Sequence, residues 1–311
     1  MTAASASSDP PATLSSVESA TKSKRIFDVY PYGTKEEDIM KSGNYCHTKV
    51  VHFVRHAQGT HNVNREYSDI KNMDARLTDY GKDQCRSLAE SIRQALESST
   101  STSSPTTETA ANANLSNLHE SAQLVVTSPL TRCIETSLIS FPMLAERGVP
   151  FMAHSGVRET VNWNCDRRRN IQHIAKDFGK DVVDFKHIPT DHDDVWEAYE
   201  KRLGTQWDSI RESGELHVAA ERGREFLEWL QTRQERNVVV CSHCAFLNCF
   251  WNFGVNGKEV PFQPPQMNDE REDFSNVPVV RYCGDETFAD SIRLFFENCE
   301  LRSLVIAFPQ D

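Results

Sequence analysis

TKVVHFV at residues 48–54, running directly into RHAQGTHN at residues 55–62, is the most informative stretch of this chain. Val50, Val51, Phe53 and Val54 make a short, β-branched apolar run, which predicts a buried strand. The residues after it turn polar and cationic. Further along, residues 78–97 carry a helical period, with Cys85, Leu88, Ile92 and Leu96 on one face and Thr78 as a candidate N-cap ahead of Asp79. Residues 122–127 (AQLVVT) read as a second buried strand, and residues 129–145 as a helix with Pro129 in its first turn. Residues 149–153 form a weak third strand, 221–235 a helix, 237–241 (NVVVC) a strand and 244–253 a helix. The run 301–308 (LRSLVIAF) is expected to close the sheet. Such alternation predicts an α/β three-layer sandwich, a mostly parallel central sheet with helices on both faces. The stretch 156–220 lacks strong strands, carries Trp163, Trp196 and Trp207, and reads as a helical cap over one end of the sheet.

In a doubly wound sheet the ligand lies beyond the carboxyl ends of the strands. Arg55-His56-Ala57-Gln58-Gly59-Thr60-His61-Asn62 comes after the first strand, and Ser128-Pro129-Leu130-Thr131-Arg132 after the second. Arg158-Glu159 comes just past the third, and Ser242-His243 after the strand at 237–241. Two histidines, several arginines and a carboxylate therefore emerge at one edge. Each alone is commonplace, but together they make a coherent phosphoryl-transfer set. A neutral imidazole is a good nucleophile toward phosphorus near neutral pH. Arginine forks and a second, protonated histidine stabilise charge on the non-bridging oxygens, and a carboxylic acid of raised pKa protonates the leaving oxygen. This chemistry requires neither a metal nor a cofactor.

The run Arg55-His56 with Gly59 and Asn62 resembles the Arg-His-Gly signature of the histidine phosphatase superfamily, in its phosphoglycerate mutase-like branch. The resemblance continues through Leu77-Thr78-x-x-Gly81-x-x-Gln84, Ser128-Pro129-Leu130-x-Arg132-x-x-x-Thr136, Arg158-Glu159 and Cys165-Asp166-Arg167-Arg168. It extends to Val240-Cys241-Ser242-His243 and Asn298-Cys299-Glu300-Leu301-Arg302-Ser303, so that it covers residues 48–306. It implies the phosphoglycerate mutase-like fold, with His56 as the phosphorylated nucleophile and Arg55, Asn62, Arg132 and His243 around the phosphoryl oxygens. Glu159 falls at the position of the general acid, with Glu135 and Asp166 as the acidic alternatives. Arg167 and Arg168 are candidate substrate contacts, although a solvated charge run at 167–169 reads equally well. Two departures stand out: Ala57 and Cys244 occupy positions where the family has glycine. The stretch after Glu159 also lacks the Tyr-Gly pattern of cofactor-dependent mutases, which favours a phosphatase over a mutase.

Composition limits the alternatives. The formal charge is −11, which disfavours nucleic acid and anionic membranes as partners and leaves a small phosphorylated substrate. The nine cysteines are unevenly spaced and fit reduced thiols in a cytoplasmic setting better than a disulfide framework. A Cys241/Cys244 redox or zinc module and a non-catalytic phospho-ligand scaffold are the readings from other classes. Residues 1–45 read as an N-terminal extension, disordered at its start and without a secretory h-region, and residues 46–311 as the catalytic domain. A low-complexity insertion spans 98–114, where ten of seventeen residues are Ser or Thr.

Overall fold

The computed structural model describes residues 24–100, 110–179, 181–204, 212, 216–255 and 277–310. Eight strands form one sheet: β1 (Phe27–Pro31), β2 (Tyr45–Arg55), β3 (Leu124–Thr127), β4 (Phe151–His154), β5 (Asp184–His187), β6 (Asn237–Ser242), β7 (Val280–Tyr282) and β8 (Leu301–Pro309). Their order is β5-β4-β3-β6-β2-β8-β1-β7. β8 runs antiparallel to both of its neighbours, and every other pair is parallel.

The helices are α1 (Glu36–Ser42), α2 (Thr60–Val63), α3 (Asp79–Thr100), α4 (Ala110–Ser121), α5 (Thr131–Ser140), α6 (Pro142–Glu146), α7 (Ile171–Phe178), α8 (Asp194–Leu203), α9 (Leu216–Thr232), α10 (Cys244–Asn252) and α11 (Glu286–Arg293). One face of the sheet packs α9, α10 and α11 through Phe226, Leu227, Phe250 and Ile292 against Phe27, Val51 and Phe53. The other packs α3 to α7 through Ile92, Leu118, Ile134, Leu144 and Ile174 against Val54, Val125 and Val239. This is the expected three-layer sandwich, and alternation along each strand explains it: Val51 and Phe53 serve one layer, Val54 the other. Among the described residues no helix is long and apolar enough to cross a membrane.

Register sets up the site. In the β2–β6 pair Arg55 lies opposite Ser242, so the residues after each strand, His56 and His243, leave the sheet side by side. In the β3–β6 pair Thr127 lies opposite Cys241, which brings Ser128 to the same edge.

Several elements differ from the sequence reading. The run 301–308 does not close the sheet; β8 sits inside it, between β2 and β1. Residues 27–31, set apart with the leader, are a sheet strand. They lack a clean apolar signature because Asp28 interrupts them. Its buried carboxylate accepts a bidentate pair from Arg281 at 2.7 and 2.6 Å, and Tyr45 donates a further bond. The helix expected over 129–145 is two helices, α5 and α6, broken at Phe141 where Pro142 starts the second. The 156–220 stretch includes the edge strand β5 besides short helices. The 98–114 tract is helical at both ends, in α3 through Thr100 and in α4 from Ala110. Residues 1–23, the middle of that tract, Trp207 and the 256–276 stretch with Asp269, Glu270, Glu272 and Asp273 lie outside the described residues.

Candidate active site

His56 is 2% exposed and its Nδ1 lies 2.8 Å from the Ala57 carbonyl oxygen. A carbonyl only accepts, so Nδ1 carries the proton and Nε2 keeps its lone pair. Burial, followed by the nearby Arg132, His61 and Arg55, pushes the His56 pKa well below its ordinary value. The imidazole is therefore neutral and nucleophilic at physiological pH.

The loop carrying it is fastened from several sides, and the motifs flagged in the sequence supply the fasteners. Thr136 Oγ1 accepts from the Ala57 N–H at 3.0 Å and donates to the Arg132 carbonyl at 2.7 Å. Gln84 accepts from the Gln58 N–H at 2.9 Å, and Thr78 donates to the Gln58 side chain at 2.9 Å. Gly81 faces the same loop so closely that a Cβ there would lie 2.2 Å from the Gln58 carbonyl oxygen. Thr78 also caps α3, accepting from the Gly81 N–H at 2.9 Å. Asn298 donates to the His56 carbonyl at 3.0 Å, and the Cys299 N–H donates to the Arg55 carbonyl at 3.1 Å. Cys299 does so from a positive φ of 63°.

The His243 ring centroid lies 5.0 Å from that of His56, with the planes at 60°. Arg132 Nε donates to His243 Nδ1 at 3.3 Å, and His243 Nε2 lies 2.7 Å from Ser128 Oγ. Because guanidinium only donates, Nδ1 is the acceptor and the proton sits on Nε2. The second histidine, expected protonated, is thus neutral here. Burial, then Arg132 and the two other histidines, holds its pKa well below the usual value.

The cations differ in how far they are committed. Arg132 is 1% exposed; besides His243 it binds the Cys165 carbonyl at 2.6 Å and Asp166 at 3.2 Å. Arg55 donates through Nη1 to the Phe296 carbonyl at 2.7 Å, while its buried Nε has no partner among the described residues. Asn62 Oδ1 accepts from the Gly59 N–H at 2.9 Å, which leaves its amide NH₂ as the remaining donor.

Glu159 reaches the first turn of α10. Its carboxylate accepts from the N–H groups of Phe246 at 2.8 Å, Thr160 at 2.9 Å and Ala245 at 3.3 Å. Burial above all, and then the neighbouring Asp166, raises its pKa against the opposing pull of Arg132 and the N–H groups. The acidic alternatives have other tasks. Glu135 fixes the chain before α3 through the Leu77 N–H at 2.8 Å and Arg76 at 3.0 Å. Asp166 pairs with Arg132 and accepts from the Trp163 N–H at 3.0 Å.

Of the two candidate substrate arginines, Arg168 is committed to structure. Its guanidinium holds the carbonyls of Arg169, Thr190, Asp191 and His192. The substrate-contact expectation for Arg168 is corrected accordingly. Arg167 is half-buried, its guanidinium carbon 5.8 Å from the centre of the Trp196 ring. Arg169 joins Asp74 and Asp177, and Arg302 binds Glu300 together with the carbonyls of Ile292, Leu294 and Phe295. The Cys241/Cys244 pairing also falls away. Cys241 Sγ turns to the Cys133 carbonyl, Cys244 Sγ to the Phe296 carbonyl, and burial raises both thiol pKa values, that of Cys244 to about 11.

Three residues that hold the site were not found from sequence. Asp193 takes a bidentate pair from Arg158 at 2.6 and 3.0 Å and caps α8 through the Trp196 N–H. Asp74, at φ 50°, binds the Thr131 N–H at 2.7 Å immediately before Arg132. Glu212 accepts from the Val161 N–H at 2.6 Å, and Arg222 bridges it to the Arg158 carbonyl. None lies in a local pattern with its partner, so only a signal linking distant positions could have found them.

A mostly parallel α/β sheet thus carries paired imidazoles and arginines at one edge. The model of the histidine phosphatase superfamily (branch 1) matches residues 107–260. The "Phosphoglycerate mutase-like protein" of Arabidopsis thaliana is 29% identical over 289 residues, covering 83% of this chain and 84% of that protein. The "Phosphoglycerate mutase-like protein 1" of the same plant is 28% identical over 289 residues, covering 83% and 81%. Among solved structures, the ecdysone phosphate phosphatase of Bombix mori matches at a TM-score of 0.41 with 16% identity, covering 82% of this chain and 88% of that one. The family match and these relatives agree with the resemblance to the histidine phosphatase superfamily read from the motifs. The family match supports phosphatase or mutase-like activity.

Proposed function

We propose that the protein is a metal-independent phosphatase that hydrolyses small phosphomonoesters through a phosphohistidine on His56. The observation that carries this reading is the bond from His56 Nδ1 to the Ala57 carbonyl, which leaves Nε2 as a free nucleophile beside Arg55, Arg132 and His243. Nε2 attacks phosphorus, and the ester oxygen departs with a proton from Glu159, whose raised pKa suits a general acid. Glu159, now a carboxylate, then activates water against the phosphohistidine, and the site returns to its starting protonation. Arg55, Arg132 and the Asn62 amide hold the phosphoryl oxygens, with arginine charge serving where other phosphoryl-transfer sites use a metal. The dianion offsets the arginine charge felt by His243 and favours its protonation, so that it becomes a donor to phosphate as well. Arg167 is the remaining candidate contact to the rest of the substrate. The cytoplasm is the proposed compartment.

The names of the plant relatives favour a second outcome, return of the phosphoryl group to a bound ester rather than to water. Phosphate release from a panel of phosphomonoesters in EDTA tests both. The expected result is turnover in EDTA that His56→Ala lowers at least a thousandfold. Turnover requiring added metal, or surviving in His56→Ala, would refute the mechanism, and isomerised ester without free phosphate would establish the mutase outcome. A folded protein that binds phosphate and turns over no ester would be a scaffold.

A further inference from the structure

His61 is a buried titratable group of this site with no part in the His56–Glu159 chemistry. It sits in α2 and is 4% exposed. Its ring centroid lies 5.5 Å from that of His56 and 6.0 Å from that of Tyr67. It faces Arg132 and Arg55 closely enough for both to disfavour its proton, and it acts in turn on His56 and His243. Neither ring nitrogen makes a hydrogen bond among the described residues, and Nδ1 is wholly buried.

Buried polar side-chain atoms nearly always have a partner, so an exception calls for a reason. Packing alone does not supply one. A phenyl ring would pack beside Tyr67 as well and would bury no polar nitrogen. Gly59 makes room for the ring, because a Cβ there would lie 2.6 Å from His61 Cε1 and 2.7 Å from Nδ1. An enclosed nitrogen with no acceptor is better left as a bare lone pair than as an N–H, which places the neutral ring's proton on Nε2. The ring therefore holds one unspent N–H beside His56 and two guanidinium groups.

We propose that His61 is a further catalytic residue, donating from Nε2 to a phosphoryl oxygen while His56 attacks phosphorus. The inference rests on the reading of His56 as the phosphorylated nucleophile. The phosphoryl group supplies the acceptor that His61 lacks, and its charge offsets that of the adjacent arginines.

The test compares wild type with His61→Phe and His61→Gln. Phe preserves an aromatic ring without a donor, whereas Gln carries an amide N–H at about the reach of Nε2. The measurements are kcat and KM on the best phosphomonoester, competitive inhibition by inorganic phosphate, and thermal melting. His61→Phe is expected to lose ten- to a hundredfold in kcat/KM and to bind phosphate more weakly at a near-native melting temperature. His61→Gln is expected to recover part of both losses. Wild-type kcat/KM and phosphate inhibition in His61→Phe would overturn the proposal and leave the phosphatase reading intact. If Phe does not fold, a folded Gln variant with no more activity than a folded His61→Ala overturns it equally. Absence of turnover and of phosphate inhibition in the wild type would instead overturn the reading of the site itself.

Discussion

Glu159 shows how one residue reconciles opposing demands. Three backbone N–H groups, two of them from the first turn of α10, stabilise its anion, yet burial and Asp166 outweigh them and raise its pKa. A carboxyl group held this way can keep a proton until the leaving oxygen takes it. Glu159→Gln is expected to lower kcat by about two to four orders of magnitude, the usual contribution of a positioned acid. It should also remove the alkaline limb of the pH–rate profile, which is read by assaying both proteins from pH 4 to 9. The same shift sets the sign for stability. A raised folded pKa contributes stability below the unfolded pKa and loses it as pH rises through the folded value. The Gln variant should accordingly lose less melting temperature than wild type as pH rises across the acidic range.

Elements hold the site through contacts that leave little slack. Gly81 lets the first turn of α3 approach the Gln58 carbonyl, where a Cβ would lie at 2.2 Å from backbone rather than from a flexible side chain. Gly81→Ala should therefore displace the loop after His56 and cost about 1–3 kcal/mol, the usual penalty of overpacking. Thermal melting and kcat measured together would check it, and a native melting temperature with full activity would count against it. Asp193 ties α8 to the loop at 158–168 through Arg158 and the Arg168 N–H at 2.7 Å. Arg158 holds the Asp193 carboxyl below its ordinary pKa in spite of burial. Asp193→Ala would strand the Arg158 guanidinium in the interior, for an expected loss of about 3–5 kcal/mol in chemical denaturation. The conservative Asp193→Asn should lose less, since it can still accept the Trp196 N–H.

Across the whole molecule, histidine burial has a collective consequence. Burial holds His52 and His154 at about 4, and His56, His61 and His243 are also well below their ordinary value. Each is neutral in the folded protein where the unfolded chain, at about 6.5, takes up a proton. A depressed folded pKa gives stability that is complete above the unfolded value and is lost as pH falls toward the folded one. Glu159 and Asp166, raised by burial, act in the opposite sense but are fewer. The melting temperature is therefore expected to fall on acidification from pH 7 to pH 5. A flat or rising profile would mean that the carboxylates dominate.

Local pattern was enough for the alternating α/β architecture and for the short list of groups at the sheet edge. Apolar runs of strand length, helical periods, and charged residues placed directly after strands are all legible in the chain. So were the motifs around Leu77 and Ser128, whose physical meaning is the clamping of the loop that carries His56. Features that depend on residues far apart were not legible. Asp28 disguised β1 because its charge is neutralised by Arg281, about 250 residues away. The interior place of β8 depends on pairing with both β1 and β2, which no periodicity encodes. The commitment of Arg168 to carbonyls, the neutrality of His243 under Arg132, and the unpartnered imidazole of His61 likewise emerged only with the folded chain. Side-chain chemistry can be read from a sequence, but whether a guanidinium or imidazole is free to act depends on which acceptors the fold brings within about 3 Å.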